Sequence, residues 1–188
     1  VTGVDEDFVD QDQTTIITAS ILDVSSDDNF DAVADQTVSV TTTDDDVAGF
    51  TIAETEGSTG VDESGSTDLF TVVLTGRPIT DVAFSISSSD STETSVTSSL
   101  TFTSENWNTP QIVTVTGLDD DIIDGTQTST ITVSIIDTNS DNSFDPINDQ
   151  TVSATNADDD VAGLGKILIS EDSLGTKLLL FSDSVSSI

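Results

Sequence analysis

The heptapeptide Asp-Asp-Asp-Val-Ala-Gly-Phe at Asp44–Phe50 returns as Asp-Asp-Asp-Val-Ala-Gly-Leu at Asp158–Leu164. The offset of 114 residues holds without a gap back to the first residue: Val1-Thr2-Gly3 overlies Val115-Thr116-Gly117, Asp10 overlies Asp124, and Phe30 overlies Phe144. About 29 of the first 50 positions are identical in the second copy, and such a period means structural units in series. It divides the chain into the C-terminal part of one module (1–48), a complete module (49–160), and the start of a third, divergent module or a set of terminal strands (161–188). An aspartate triplet marks each joint.

Within the complete module, apolar residues alternate with Ser and Thr: Phe70, Val72, Leu74; Val82, Phe84, Ile86; Leu100, Phe102; Val113, Val115; Ile131, Val133, Ile135. A period of two predicts strands with one buried and one solvated face. With short strands at 50–53 and 150–155, seven are expected, separated by turn chemistry at Gly76-Arg77-Pro78, Ser87–Ser91, Asn106–Pro110 and Asp124-Gly125. No segment carries a sustained helical period. Seven short antiparallel strands in a module of this size predict an all-β, immunoglobulin-like sandwich, repeated in tandem. The first copy predicts strands at 14–22 and 36–42 around the loop 23–35. Arg77, the only basic residue of the complete module, is expected to be solvated in its turn, and Trp107 and Pro110 to anchor a loop to the core.

The formal charge is −33, from 36 acidic residues against three Lys and Arg. Such a surface repels phosphate backbones and anionic lipid, so neither nucleic acid nor membrane insertion is expected. The longest late apolar run, Leu178–Phe181, is too short to span a bilayer. There is no Cys and no His, which removes disulfides, thiolate chemistry and every Ser-His or Cys-His catalytic set. Carboxylate pairs can hydrolyse glycosides across a cleft, but here they stand in adjacent runs, so no enzyme is expected. The composition suits an exported bacterial protein. The absence of a signal pattern at Val1 implies a mature or excised piece.

Three acidic groups recur in the complete module: Asp119-Asp120-Asp121 with Asp124, the triplet Asp158-Asp159-Asp160, and the separate Glu63 and Asp90. In a sandwich, alternate loops meet at one end, so these groups can converge. Two unit charges ~4 Å apart repel by roughly 4 kcal/mol at an effective dielectric near 20. Five or more together would exceed the roughly 5–15 kcal/mol that holds a domain folded. Either the loops splay into solvent or cations bind. Ca²⁺ suits an all-oxygen donor set because it takes about 6–8 ligands in a forgiving geometry. Zn²⁺ usually recruits nitrogen or sulfur, which this chain lacks.

The stretches Asp119-Asp-Asp-Ile-Ile-Asp124, Asp158-Asp-Asp-Val-Ala-Gly163, Val61-Asp-Glu63-Ser-Gly65 and Phe102-Thr-Ser-Glu-Asn-Trp107 through Gly117 resemble the Calx-beta family, in the tandem variant of large bacterial surface and adhesin proteins. The resemblance covers nearly all of residues 1–163. It implies calcium ligands at Glu63, Asp90, Asp119, Asp120, the carbonyl of Ile122, Asp124, Asp158, Asp159 and Asp160. In the first copy it implies Asp5, Glu6, the carbonyl of Phe8, Asp10, Asp44, Asp45 and Asp46, without the half that would bring the glutamate. A further acid that the family often carries three positions beyond Asp124 is Gln127 here, which the resemblance takes to mean that one ion is weakened or missing. The loop 137–145 has D-x-N-x-D spacing but lacks the Gly and Glu of an EF-hand. It is either an ion loop or a compact loop pinned by Phe144.

The expected function is a structural segment of a long extracellular repeat protein, an adhesin or surface fibre stiffened by Ca²⁺ at its joints. Its partners are then neighbouring modules of the same or an identical chain, with a cell-surface or matrix ligand. The alternatives are a calcium-sensing regulatory module, as the resemblance implies through the Calx-beta modules of sodium–calcium exchangers, and a head-to-tail filament in which 164–188 completes a neighbour's partial sheet. The two ends together leave roughly 40 positions of a repeat unsupplied, which weighs against the filament.

Overall fold

The structure, a computed structural model, describes residues 1–162 together with the backbone of two strands at 167–171 and 177–181. The first copy contributes one antiparallel hairpin, β1 (Gln13–Ala19) with β2 (Gln36–Thr42). The complete module follows as β3 (Phe50–Glu54), β4 (Thr59–Asp62), β5 (Thr67–Leu74), β6 (Val82–Ser88), β7 (Thr94–Val96), β8 (Ser99–Phe102), β9 (Gln111–Gly117), β10 (Gln127–Ile135) and β11 (Gln150–Ala157). Two later strands, β12 (Ile167–Glu171) and β13 (Lys177–Phe181), pair antiparallel with each other. The chain is all-β.

The module is a sandwich of a four-stranded sheet, in the order β3-β5-β9-β7, and a five-stranded sheet, in the order β4-β11-β10-β6-β8. The alternating apolar residues supply both inner faces. Phe50, Phe70, Val72, Leu74, Val113 and Val115 come from one sheet; Val82, Phe84, Phe102, Ile131, Val133 and Val152 come from the other. Phe50 and Phe84 meet edge to face across the layers at 5.0 Å, and Phe84 continues onto Phe102 at 5.7 Å. Such pairs add about 0.5–1.5 kcal/mol beyond the area they bury. Trp107 packs against this core, as the sequence predicts.

Nine strands stand where seven are expected, and one pairing is parallel. The opening strand is broken at Glu56 and Gly57, whose φ angles of 55° and 80° turn the chain out of one sheet and into the other. Hence β3 pairs antiparallel with β5, whereas β4 pairs in parallel with β11. The β4 and β7 strands each hold a single large apolar residue, Val61 or Val96, too few for an alternation to register in the sequence.

The first copy repeats the last hairpin of the module in register. Ile17 faces Val38 in β1–β2 just as Ile131 faces Val152 in β10–β11. The environments differ because the strands that cover this face in the complete module have no counterpart over the first hairpin. Val152 is 3% exposed and its equivalent Val38 is 62% exposed.

One turn departs from expectation, and the loop 137–145 takes the compact form pinned by Phe144 that the sequence allows. Arg77 is not solvated: its guanidinium lies 4.1 Å from the centroid of the Phe8 ring, and its Nε donates to the Ser104 carbonyl at 2.8 Å. The loop 137–145 is pinned by the fully buried Phe144, and its Asp141 is a staple. The Asp141 carboxylate accepts the amides of Ile79 (2.8 Å), Thr80 (2.9 Å) and Ser143 (2.9 Å). Burial pushes its acidity down, but these donors outweigh burial and hold its pKa below the ordinary value.

Candidate metal centre

The parallel pairing of β4 with β11 builds the site. Because Asp62 lies opposite Ala157, the two strands leave the sheet side by side, and the next residues on each are Glu63 and Asp158. The Glu63 amide donates to the Ala157 carbonyl at 3.1 Å, extending the ladder by one step. The β9 strand arrives at the same end. Its last residue, Gly117, donates to the Ser66 carbonyl, and a Cβ at Gly117 would lie 2.1 Å from the Asp62 carbonyl oxygen and 2.7 Å from Asn156 Oδ1. Only glycine lets the chain pass this closely, and the passage delivers the loop 119–124 to the end of β4.

The result is a knot of carboxylates around Glu63. Single oxygens of Glu63, Asp158 and Asp160 lie within 4.8 Å of one another, as do those of Glu63, Asp119 and Asp159. Glu63 belongs to both sets and is only 2% exposed. The Asp159 amide donates to its Oε2 at 3.2 Å. Burial raises the Glu63 pKa first, with the charges of Asp158, Asp120 and Asp160 adding to it. Asp160 is raised likewise, by burial and then by Asp158, Asp121, Asp159 and Asp119. Its Oδ2 is buried without a hydrogen-bond partner. An all-oxygen cluster with a shared buried glutamate and an orphaned buried oxygen fits a hard cation that coordinates several ligands.

Asp158 orders the surrounding backbone. Its Oδ2 accepts the Gly125 amide at 2.7 Å, and its Oδ1 accepts that of Asp160 at 2.8 Å. Within the loop, Asp120 Oδ1 accepts the Ile122 amide at 2.7 Å. Asp120 and Asp124 lie outside both sets. Asp90 also stays outside: its carboxylate takes the Thr92 hydroxyl and amide, and these hydrogen bonds lower its pKa.

Glu93 escaped the sequence reading. It is buried, its Oε2 accepts from Asn156 Nδ2 at 3.1 Å, and its carbonyl accepts the Leu118 amide at 2.9 Å, immediately before Asp119. The available signal was Asn156, a polar side chain that continues the inward series Val152, Ala154 directly ahead of the aspartate triplet.

The first copy keeps part of this scaffold. Asp44 Oδ2 accepts the amides of Gln11 (2.6 Å) and Asp10 (3.1 Å), Asp44 Oδ1 accepts that of Asp46 (2.8 Å), and Glu6 Oε2 accepts that of Phe8 (2.9 Å). Asp5, Glu6, Asp10 and Asp44–Asp46 line a small cleft. Among the described residues, neither set of converging carboxylates lies there. Asp46 is nonetheless raised in pKa, by burial first and then by Asp44, Asp45, Asp7 and Glu6. The Phe8 ring lies against the Arg77 guanidinium, and the bridge between the two segments runs through the Asp7 carbonyl and the Val9 amide.

No family model matches this chain, and no curated protein does. Among solved structures it is similar to domains 1–6 of the surface layer protein SbsC, at 15% identity and a TM-score of 0.44 over 91% of this chain and 21% of that one. It is also similar to SbsC domains 4 and 5, at 15% identity and a TM-score of 0.38 over 78% of this chain and 58% of that one. The E. coli chaperone DraB matches at 11% identity and a TM-score of 0.43 over 68% of this chain and 66% of that one. The chain thus spans just under two thirds of the chaperone and about a fifth of the six-domain fragment. No helix among the described residues is long and apolar enough to cross a membrane.

Proposed function

We propose that this chain is a structural segment of a long extracellular repeat protein, a bacterial adhesin or surface fibre, whose Calx-beta-like modules bind Ca²⁺ at their joints and are stiffened by it. The observation that carries the reading is Glu63, buried and shared by two sets of carboxylates, one of which includes the unpartnered Asp160. By the repeat, Asp158–Asp160 end one module and Val161 opens the next, with almost no linker in the sequence. A cation held by Glu63, Asp158 and Asp160, and by Glu63, Asp119 and Asp159, would tie three chain segments together: the end of β4, the β9–β10 loop and the exit from β11. It would neutralise their repulsion and fix the direction in which the chain leaves. At a free concentration about 100 times the dissociation constant, each site adds about 2.7 kcal/mol.

The reading is non-catalytic. The carboxylates converge on one point instead of facing each other across a cleft, and no cofactor other than Ca²⁺ is assigned. Partners are neighbouring modules, with a cell-surface or matrix ligand at the level of the whole fibre.

The testing experiment is small-angle scattering in calcium and in chelator. An elongated particle should become flexible when the ion is withdrawn, and an unchanged profile would count against the reading. The exposed inner face of β1–β2, with Val38 turned to solvent, favours one second reading, completion of that hairpin by strands of a neighbouring chain. A monomer at high protein concentration would exclude it.

A further inference from the structure

The first joint is a built seam. The β5–β6 turn of the complete module receives the loop of the first copy: the Val9 amide donates to the Arg77 carbonyl at 3.0 Å, and the Arg77 amide donates to the Asp7 carbonyl at 2.8 Å. Ser143 Oγ donates to the Val9 carbonyl at 3.3 Å. Val9 is 8% exposed and fills the space over Gly76, where a Cβ would lie 2.6 Å from Val9 Cγ2. The Phe8 ring lies beneath the Arg77 guanidinium. From the same turn, Thr75 Oγ1 donates to the Val47 carbonyl at 3.0 Å, and the Thr75 amide donates to the Gly49 carbonyl at 2.9 Å, which clamps the linker as well.

One repeat later the same loop stands ready. Ile122 and Ile123 occupy the positions of Phe8 and Val9. The internal hydrogen bonds that shape the docked loop recur, from the Ile122 amide to Asp120 and from the Gly125 amide to Asp158, matching Phe8 to Glu6 and Gln11 to Asp44. Ile122 is nevertheless 60% exposed and Ile123 58% exposed, two adjacent large apolar side chains in an otherwise acidic loop. Solvation gives no reason for isoleucines there; a docked neighbour does.

We infer that Ile122–Ile123 is the seat for the β5–β6-type turn of a following module of the same repeat. That turn offers a glycine to admit Ile123, an extended residue after it whose amide and carbonyl bridge the loop, and a hydroxyl for the Val161 carbonyl. A second copy of this chain cannot supply the turn, because its own Gly76 is already covered by Val9. The inference rests on the tandem-module reading above but not on the ion.

The test is the full chain with residues 49–162 duplicated in frame, followed by hydrogen exchange at single amides in calcium and in chelator. The Ile123 amide should exchange about tenfold or more slowly than in the parent chain, approaching the protection of Val9. Gly76→Val in the added copy alone should restore the parent rate. Should that variant unfold the added copy, Ile122→Ser with Ile123→Ser provides the second reading. These side chains are exposed in the parent, so its melting should not change, while the Arg77 amide of the added copy should lose its protection. Exchange at Ile123 at the parent rate, with Val9 still protected, would overturn the seam. So would a concentration-dependent dimer of the parent chain abolished by the double serine variant. Protection of Ile123 with no effect of calcium on melting would sink the ion reading and leave the seam. Stabilisation by calcium without protection of Ile123 would do the reverse.

Discussion

Asp62 and Ala157 stand opposite each other in the parallel β4–β11 pair, and this register sets Glu63 beside Asp158. The site therefore depends on a strand that changes sheets. Without the turn at Glu56 and Gly57, β4 would stay in the sheet of β3, and Glu63 would leave from the other layer of the sandwich.

Glu63 is predicted to destabilise the ion-free protein and to be indispensable to the ion-bound one. Glu63→Gln keeps the shape and removes one charge from beside Asp158 and Asp160. In chelator the variant should melt above the parent; in calcium it should melt below it and bind the ion roughly tenfold or more weakly. Paired thermal melts check both signs.

The pH dependence should invert with the ion. Glu63 and Asp160 have folded pKa values raised above their ordinary 4.5 and 3.8. The folded state therefore holds more protons than the unfolded one between those values and the raised ones. In chelator, stability from these groups is present below that window and is lost as pH rises through it toward neutrality. Asp141 acts oppositely: its lowered pKa contributes stability above 3.8 that disappears as pH falls through the folded value. Melting in chelator should thus rise from pH 7 toward mild acid and fall again in strong acid. In calcium, protons compete with the ion, and melting should rise toward pH 7.

Asp141→Ala separates the two acidic loops. It strands the amides of Ile79 and Thr80, which the carboxylate now accepts, and charged hydrogen bonds of this kind contribute about 1.5–3 kcal/mol each. Chemical denaturation should show a loss of about 2–4 kcal/mol. Calcium affinity at the Glu63 cluster should not change, because Asp141 is engaged with the amides of Ile79, Thr80 and Ser143 and belongs to neither set of converging carboxylates.

Gly117→Ala should damage fold and site together. The new Cβ meets the Asp62 carbonyl, which is backbone and cannot swing aside. A cost of about 1–3 kcal/mol is expected from overpacking, with weaker calcium binding as the loop 119–124 is pushed off the end of β4. Denaturation and a calcium titration on the same variant check both effects.

Much of the sandwich is legible in the residues themselves. Phe70, Val72 and Leu74 announce a strand by their period, and the 114-residue offset makes the register of β10–β11 recoverable from β1–β2. The sheet change at Glu56 was not legible, because a positive φ at a non-glycine residue leaves no compositional trace and β4 is too short to alternate. Arg77 reads as a solvated turn residue because the aromatic ring beneath it, Phe8, lies 69 positions away in sequence. At the site, the aspartate runs are conspicuous as a pattern, whereas the buried Glu93 is a single acid, three positions after Asp90, in a Ser- and Thr-rich stretch. Only the pairing with Asn156 reveals its position.

The most direct measurement of the central claim is calorimetric titration of calcium into the chelator-stripped chain, beside Glu63→Gln and with magnesium as the control. The account predicts calcium binding with more than one ion per complete module, weak or absent binding of magnesium, and loss of the calcium signal in the variant. Calcium heats that are absent, or that are the same in the parent and Glu63→Gln, would contradict it.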